Sequence, residues 1–146
     1  MQNVRINYKL NVEIIKEIAL PGADEAALSQ LFSASCVTSF GKDTEQVTDR
    51  GYRDTFKIDP DKLTTSFYLY NTTILSDIES LMVPNRSIRA ELHKLNLYRG
   101  PGGHFKSNVD TPHSEDMFES LVVRLPTQST GGALVTHHRG QEVAFD

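Results

Sequence analysis

After Pro84 the chain is a series of short apolar segments separated by turns that are rich in glycine and proline. Residues 87–98 and 117–125 have the composition of strands, and residues 131–145 that of a hairpin with its turn near Arg139-Gly140. Serial short strands of this kind bury their apolar side chains by packing one sheet on another. The spacing therefore favours a β-sandwich or a jelly roll.

The first half of the chain predicts a hairpin, a helix and a polar connection. Apolar residues alternate from Val4 to Ile14, which predicts a strand or a hairpin that ends at Pro21. Residues 23–36 are typical of a helix that begins with acidic side chains. Residues 39–56 are polar and lack a clear period, so we expect a loop with short pieces of strand.

A second helix is predicted over residues 71–84, with Asn71 or Thr72 as its cap. Its apolar residues fall on one stripe, which we expect to be buried: Ile74, Leu75, Ile78, Leu81 and Met82. Helices in the first half and strands in the second predict an α+β domain, with the helices packed on the sheet.

Composition restricts the class of protein. The 146 residues suit one domain, 1–146, and the net charge of −4 disfavours a nucleic-acid partner because no basic surplus can neutralise phosphates. The single cysteine, Cys36, excludes an internal disulfide, and its apolar helical surroundings predict a buried, inert thiol. Neither a signal peptide nor a run of about 20 apolar residues is present, so the sequence predicts a cytoplasmic or nuclear protein that does not enter a membrane.

Residues 103–116 concentrate polar side chains of the kinds that bind metals. We expect Asp110 to lie in a loop between two predicted strands, and the sequence has no HExxH, CxxC or P-loop pattern. By residue type alone, a solvated surface loop is the more frequent arrangement of such a group, and metal binding is the alternative. The candidates are Asn108, Asp110, His113, Glu115 and Asp116.

The order of the residues is more specific than their types. A strand ending in tyrosine is followed by a Gly/Pro loop, Phe-Lys, Asp-Thr-Pro, a strand rich in Leu and Val, Gly-Gly-x-Leu-Val and a His-x-Gly turn. This order resembles the iron(II)- and 2-oxoglutarate-dependent dioxygenases in their prolyl-4-hydroxylase-like branch, and it is closest to fungal-type uncharacterised members. The resemblance covers residues 36–146, and its matches include Tyr98, Gly100, Gly103, Phe105, Lys106, Asp110, Thr111, Pro112, Phe118, Leu121, Val122, Val123, Pro126, Gly131, Gly132, Leu134, Val135, His138, Gly140 and Phe145.

The resemblance implies a fold, a chemistry and two site residues. The fold is a double-stranded β-helix (jelly-roll) core with N-terminal helices packed on the sheet. Enzymes of this family hold iron(II) with two histidines and one carboxylate, and bind 2-oxoglutarate and oxygen at the remaining positions. Asp110 matches the carboxylate ligand. Tyr98 matches a tyrosine that often hydrogen-bonds 2-oxoglutarate, and the alternative for Tyr98 is a half-buried aromatic at a strand end.

The chain departs from the family at the metal site. Asn108 stands where the family has its first histidine, two residues before Asp110, and an amide oxygen is a far weaker ligand for iron(II) than imidazole. The family's second histidine and its 2-oxoglutarate-binding basic residue correspond to positions after Asp146, so we expect an incomplete jelly roll with one of three ligands. The other nearby histidines are expected to be surface or turn residues rather than replacement ligands: His113, His137 and His138.

Three functions follow as alternatives. The first is a dioxygenase-like domain whose family activity, hydroxylation of an unknown substrate, is impaired or absent, with weak or no binding of iron(II) and 2-oxoglutarate. The second is a non-catalytic jelly-roll module that binds a partner. The third is a truncated gene product. The sequence assigns no catalytic side chain beyond the ligand positions and names no substrate, since one fold serves many substrates.

Overall fold

The structure is a computed structural model that describes residues 3–42, 45–107, 112 and 114–145. Within these residues it is a mixed α/β protein, in which small antiparallel sheets accompany two α-helices. The elements are β1 (Val4–Lys9), β2 (Ile15–Leu20), α1 (Glu25–Ser33), β3 (Cys36–Val37), β4 (Phe40–Lys42), β5 (Glu45–Val47), β6 (Arg53–Asp54), β7 (Phe56–Ile58), β8 (Leu63–Thr65), α2 (Ile74–Met82), β9 (Leu95–Leu97), β10 (His104–Phe105), β11 (Leu134–His138) and β12 (Gln141–Phe145), with 3-10 turns at Pro60–Lys62 and Leu69–Asn71.

The core is built on the N-terminal hairpin. β1 is the central strand of an antiparallel sheet with the order β2-β1-β8. Val4, Ile6 and Tyr8 alternate along β1 and are all buried, because successive side chains of a strand point to opposite faces. Ile6 lies opposite Ile18, and Tyr8 lies opposite Leu63, so both neighbouring strands add apolar side chains to the same cluster. The predicted hairpin is therefore confirmed.

The apolar alternation from Val4 to Ile14 continues as a strand only as far as Lys9, where the turn of the hairpin begins. The Asn11 carboxamide oxygen accepts hydrogen bonds from the backbone N–H of Glu13 and Ile14, at 3.0 and 2.9 Å. This side-chain bonding closes a turn, as asparagine often does. Val12 lies in the turn with 98% of its surface exposed. Its apolar side chain therefore adds nothing to the core.

A second sheet positions the candidate site. β7 is the central strand of an antiparallel sheet with the order β3-β7-β9, and Ile58 on β7 belongs to the core cluster. β6 pairs with β10, with Arg53 opposite Phe105. Only Thr55 separates β6 from β7. One stretch of chain therefore pairs with β9 at one end and with β10 at the other. The prediction of short strand pieces within residues 39–56 is confirmed.

α1 confirms the first predicted helix. Asp24 is its N-cap, and the Asp24 carboxylate accepts a hydrogen bond of 2.7 Å from the Ala27 N–H, which satisfies a backbone donor that has no partner within the helix. Leu31 on α1 is buried in the core cluster, and Leu28 packs against it. The helix therefore packs on the N-terminal β2-β1-β8 sheet.

α2 confirms the second predicted helix but not its cap or its buried stripe. Thr73 is the N-cap, in place of Asn71 or Thr72. Leu75 is buried, whereas Leu81 and Met82 are exposed over 83% and 54% of their surface. The helix packs mainly on the 3-10 turn that precedes it. Its periodicity is real, but no described sheet covers the whole stripe.

Two further strand predictions are corrected. Residues 117–125 form no strand, and Val122 is exposed over 68% of its surface. Of residues 87–98, only Leu95–Leu97 is a strand. An apolar alternating pattern fixes which side chains share a face, but a strand also needs a hydrogen-bonded neighbour. These segments have the pattern without that neighbour among the described residues.

Cys36 also differs from its prediction. Its thiol is exposed and lies on β3 rather than in a helix, with the sulfur 3.6 Å from the Lys57 carbonyl oxygen. α1 ends at Ser33, three residues earlier, so the apolar helical pattern does not extend to this position.

The predicted C-terminal hairpin is confirmed. β11 and β12 pair antiparallel, with Leu134 opposite Phe145. Arg139 and Gly140 connect them with φ angles of 49° and 75°, as a two-residue hairpin turn requires. The side chains of both strands are exposed. In the part of the chain that the structure describes, no helix is long and apolar enough to cross a membrane.

Candidate functional site

The candidate site lies where β6, β9 and β10 meet. We call it the Arg53 cluster and define it by five residues: Arg53, Thr55, Asn96, Tyr98 and Phe105. Tyr98 is one of the residues that the sequence singled out, and Phe105 belongs to the same motif. The cluster stands directly before the segment that carries Asn108 and Asp110.

Arg53 is the centre of this cluster. It is exposed over only 5% of its surface. Its Nε–H donates to the Thr55 hydroxyl oxygen at 2.8 Å, and an Nη2–H donates to the Asn96 carboxamide oxygen at 3.4 Å. Its Cζ lies 4.0 Å from the centre of the Phe105 ring. A buried cation is costly unless such partners replace water, and the ring face adds attraction to the positive charge.

Tyr98 follows β9 directly and is exposed over 52% of its surface. Partial burial of the hydroxyl raises the pKa of Tyr98, and the positive charge of Arg53 opposes that rise. The phenol therefore stays protonated at neutral pH and can donate a hydrogen bond. A half-exposed donor close to a buried cation suits contact with an anionic group, and it also fits an ordinary aromatic residue at a strand end.

Tyr52 holds the chain that leads out of the cluster. The Lys106 N–H donates to the Tyr52 carbonyl oxygen at 3.0 Å, and the Tyr52 hydroxyl donates to the Ser107 carbonyl oxygen at 2.8 Å. The Tyr52 ring meets the Phe105 ring edge-on, with 6.0 Å between centres. The backbone is thus anchored as far as Ser107.

The predicted ligand positions begin at the next residue. Asn108, Asp110 and His113 lie outside the described residues, so their assignment stays a prediction. Among the residues that are described, no group of three or more His, Cys, Asp or Glu side chains could hold a metal ion. The donor set that the sequence leaves at this place is the Asp110 carboxylate and the Asn108 amide. That set lacks the imidazole that a facial iron(II) site holds beside its carboxylate.

The exposed histidines of the C-terminal hairpin lie apart from this cluster in the chain. His137 and His138 are consecutive on β11, so their side chains point to opposite faces. The His137 Nδ1 lies 3.6 Å from a carboxylate oxygen of Glu142, its partner across the hairpin. This is an exposed contact between neighbouring strands.

Arg53 and Thr55 are the site residues that sequence reasoning missed. Both lie in the polar stretch predicted as a loop, and both are buried. Their spacing of two residues is the available signal, since it places two side chains on one face of a strand. Hydropathy gives no such signal because neither residue is apolar.

Replacing Arg53 with Lys should lower the free energy of unfolding by about 1–3 kcal/mol, the usual effect of leaving buried hydrogen-bonding groups unsatisfied. A lysine keeps the charge but has neither the Nε–H bond to Thr55 nor a planar group to stack on Phe105. Urea denaturation measures the loss. Arg50→Lys is the matched control at an exposed position, where a change within about 0.5 kcal/mol is expected. Equal effects of the two substitutions would show that the buried contacts contribute nothing.

No family model, curated protein or solved structure matches this chain.

Proposed function

We propose that this chain is a domain of the iron(II)- and 2-oxoglutarate-dependent dioxygenase type, with a double-stranded β-helix scaffold and an impaired iron site. The observation that carries the proposal is the order of motif residues from Tyr98 to Phe145. Two of the motif's expected local structures support it. Tyr98 directly follows a strand, and Gly140 lies in a hairpin turn.

The chemistry of the Arg53 cluster also supports the proposal. 2-Oxoglutarate carries two carboxylates, which bind hydrogen-bond donors and cations. Tyr98 supplies a protonated hydroxyl, and Arg53 supplies a positive charge that acts on it. These two groups suit one carboxylate of such a ligand. The contact to 2-oxoglutarate is part of the proposal.

The impairment follows from the donor set. Asn108 supplies a neutral amide oxygen where an imidazole is needed, which leaves the Asp110 carboxylate as the single anionic ligand in the motif. Iron(II) bound without that imidazole would dissociate more readily. We therefore propose that the family's hydroxylation is weak or absent in this chain, and we leave the substrate open. A cytoplasmic or nuclear location belongs to the same proposal, since a lone thiol suits a reducing compartment.

Asn108 also favours the second candidate, a non-catalytic module that keeps the scaffold and binds a partner. The two candidates share their fold and differ in residual turnover and in partner binding. Turnover above background would exclude the non-catalytic module without any change of structural assignment.

Anaerobic titration of the unaltered chain with iron(II), in the presence of 2-oxoglutarate, tests the proposed impairment. We expect no saturating visible charge-transfer band at one equivalent of iron, and no succinate release above a boiled sample once oxygen is admitted. An active dioxygenase of the same family, measured in parallel, shows that the assay detects the band. A stoichiometric band with sustained succinate release would overturn the impaired site and the non-catalytic alternative together.

A further inference from the structure

His104 joins two loops through both of its ring nitrogens. It is the first residue of β10, and its Nδ1 lies 2.7 Å from the Gly102 carbonyl oxygen. Its Nε2 lies 3.2 Å from the Gly51 carbonyl oxygen, in the turn that precedes β6. The first oxygen belongs to the loop of residues 99–103 and the second to the turn of residues 49–52. The imidazole thus spans two segments that are far apart in the chain.

Only a protonated ring can donate a hydrogen bond in both contacts. A neutral imidazole has one N–H, so one of its nitrogens would turn a lone pair toward a carbonyl oxygen. An imidazolium has two N–H groups and donates to both oxygens. The two carbonyl groups accordingly raise the pKa of His104 above its ordinary value of 6.5, with Gly102 as the larger cause.

The charged groups that face the ring have opposite effects on the pKa of His104. Asp54 lies opposite His104 in the β6–β10 ladder, and its charge raises the pKa of His104. Lys106, two residues further along, lowers that pKa. Among the described residues these are the charges that act on the imidazole, so the carbonyl oxygens dominate its titration.

The other charged side chains of the two loops are engaged elsewhere. The Asp49 carboxylate accepts a hydrogen bond of 2.8 Å from the Gly51 N–H. The guanidinium groups of Arg50 and Arg99 lie over aromatic rings, at 6.0 and 4.9 Å from the ring centres. When the pH changes near neutrality, the charge between these two loops therefore changes through protonation of His104.

The loop that His104 holds is itself tightly folded. The Gly103 N–H donates to the Arg99 carbonyl oxygen at 2.8 Å. A Cβ atom at Gly103 would lie 2.6 Å from the backbone N and O of Arg99, closer than side chains tolerate. A movement of Gly102 would therefore also move β10. β10 pairs with β6 through only two residue pairs.

We propose that protonated His104 is a clamp that fastens the loop of residues 99–103 to the turn of residues 49–52 and so sets how firmly β10 is held on β6. The sign follows from linkage. A group whose pKa is raised by folding contributes stability that is fully present below its unfolded pKa and is lost as pH rises through its folded pKa. The clamp is therefore closed below the ordinary pKa of histidine and opens as pH rises through the raised pKa of folded His104. The inference stands on the described contacts and does not depend on the proposed dioxygenase function.

Two measurements on the unaltered chain test the clamp. A histidine pH titration by NMR should place His104 above 6.5. Hydrogen exchange should show that the protection factor of the Lys106 amide, which donates to Tyr52 across the ladder, falls several-fold over the same pH interval. Protection factors are used because they remove the intrinsic pH dependence of exchange. Titration of His104 at or below its ordinary value, or constant protection at Lys106, would overturn the proposal.

Matched variants identify the responsible side chain. His104→Gln removes the titration and leaves a single donating nitrogen, so the pH-dependent fall in Lys106 protection should disappear. His138→Gln makes the same chemical change at an exposed position beside the hairpin turn and should retain the fall. Persistence of the fall in His104→Gln would assign it to another group and contradict the clamp. If His104→Gln does not fold, the titration of His104 and the Lys106 protection in the unaltered chain still test the proposal.

Discussion

Asn108→His should raise the affinity of the chain for iron(II) by at least about tenfold, because even partners outside the direct ligand shell change metal affinity by about 10–100-fold. The substitution places an imidazole two residues before the Asp110 carboxylate. On an extended backbone, residues at this spacing point to the same side and can share one ion. Anaerobic calorimetric titration, with and without 2-oxoglutarate, measures the gain.

Two controls make the gain specific. Asn71→His adds the same side chain at an exposed position on the Leu69–Asn71 turn and should leave iron affinity unchanged. Asn108→His combined with Asp110→Asn should lose most of the gain, since the added imidazole then lacks its carboxylate. An equal iron(II) affinity of the Asn108→His variant and the unaltered chain would show that position 108 is not a ligand position.

Ile6→Ala should lower the free energy of unfolding by about 2–5 kcal/mol, the range for removing a large aliphatic side chain from a packed core. Ile6 is 1% exposed on the central strand of the first sheet and faces Ile18. Because small domains have about 5–15 kcal/mol of stability in total, this is a substantial fraction. Urea denaturation followed by circular dichroism measures the loss.

Val12→Ala is the matched control for Ile6→Ala. Val12 belongs to the same alternating sequence pattern, but it is 98% exposed in the turn. Its truncation should change stability by no more than about 0.5 kcal/mol. Similar losses of stability at the two positions would mean that the Val12 side chain is buried like that of Ile6, contrary to the structure.

These two positions show what the sequence could predict of the fold. The buried side chains of β1 follow from local alternation, and the β11–β12 turn follows from Gly140, because each depends on neighbours within a few residues. The end of the alternation depends on the Asn11 side chain, which closes the turn. Asparagine is a known turn residue, so that signal was present but weaker than the apolar pattern.

Burial in the second half could not be predicted in the same way. The apolar stripe of α2 and the strand-like pattern of residues 117–125 predict which side chains share a face. Neither pattern predicts what covers that face, since coverage depends on packing between distant parts of the chain. Leu81 and Val122 thus belong to apolar patterns and are nevertheless exposed.

Some residues of the candidate site could likewise be predicted from the sequence, and others could not. Tyr98 was predicted from the order of motif residues, and the structure adds its proximity to the Arg53 charge. Arg53 was not predicted, because a polar residue in a polar stretch gives no hydropathy signal. The ligand roles of Asn108 and Asp110 rest on sequence order and stay predictions.

Paramagnetic mapping of Asn108→His tests the central claim most directly. Manganese(II) stands in for iron(II), since it prefers similar ligands and broadens the NMR signals of amides near it. With 2-oxoglutarate present, we predict the strongest broadening at the measurable amides of residues 105–112, followed by Tyr98. The unaltered chain should show far weaker broadening at the same manganese concentration. Broadening centred on His137 and Glu142, or equal broadening in both proteins, would contradict the assignment of Asn108 and Asp110 as the remnant of a metal site.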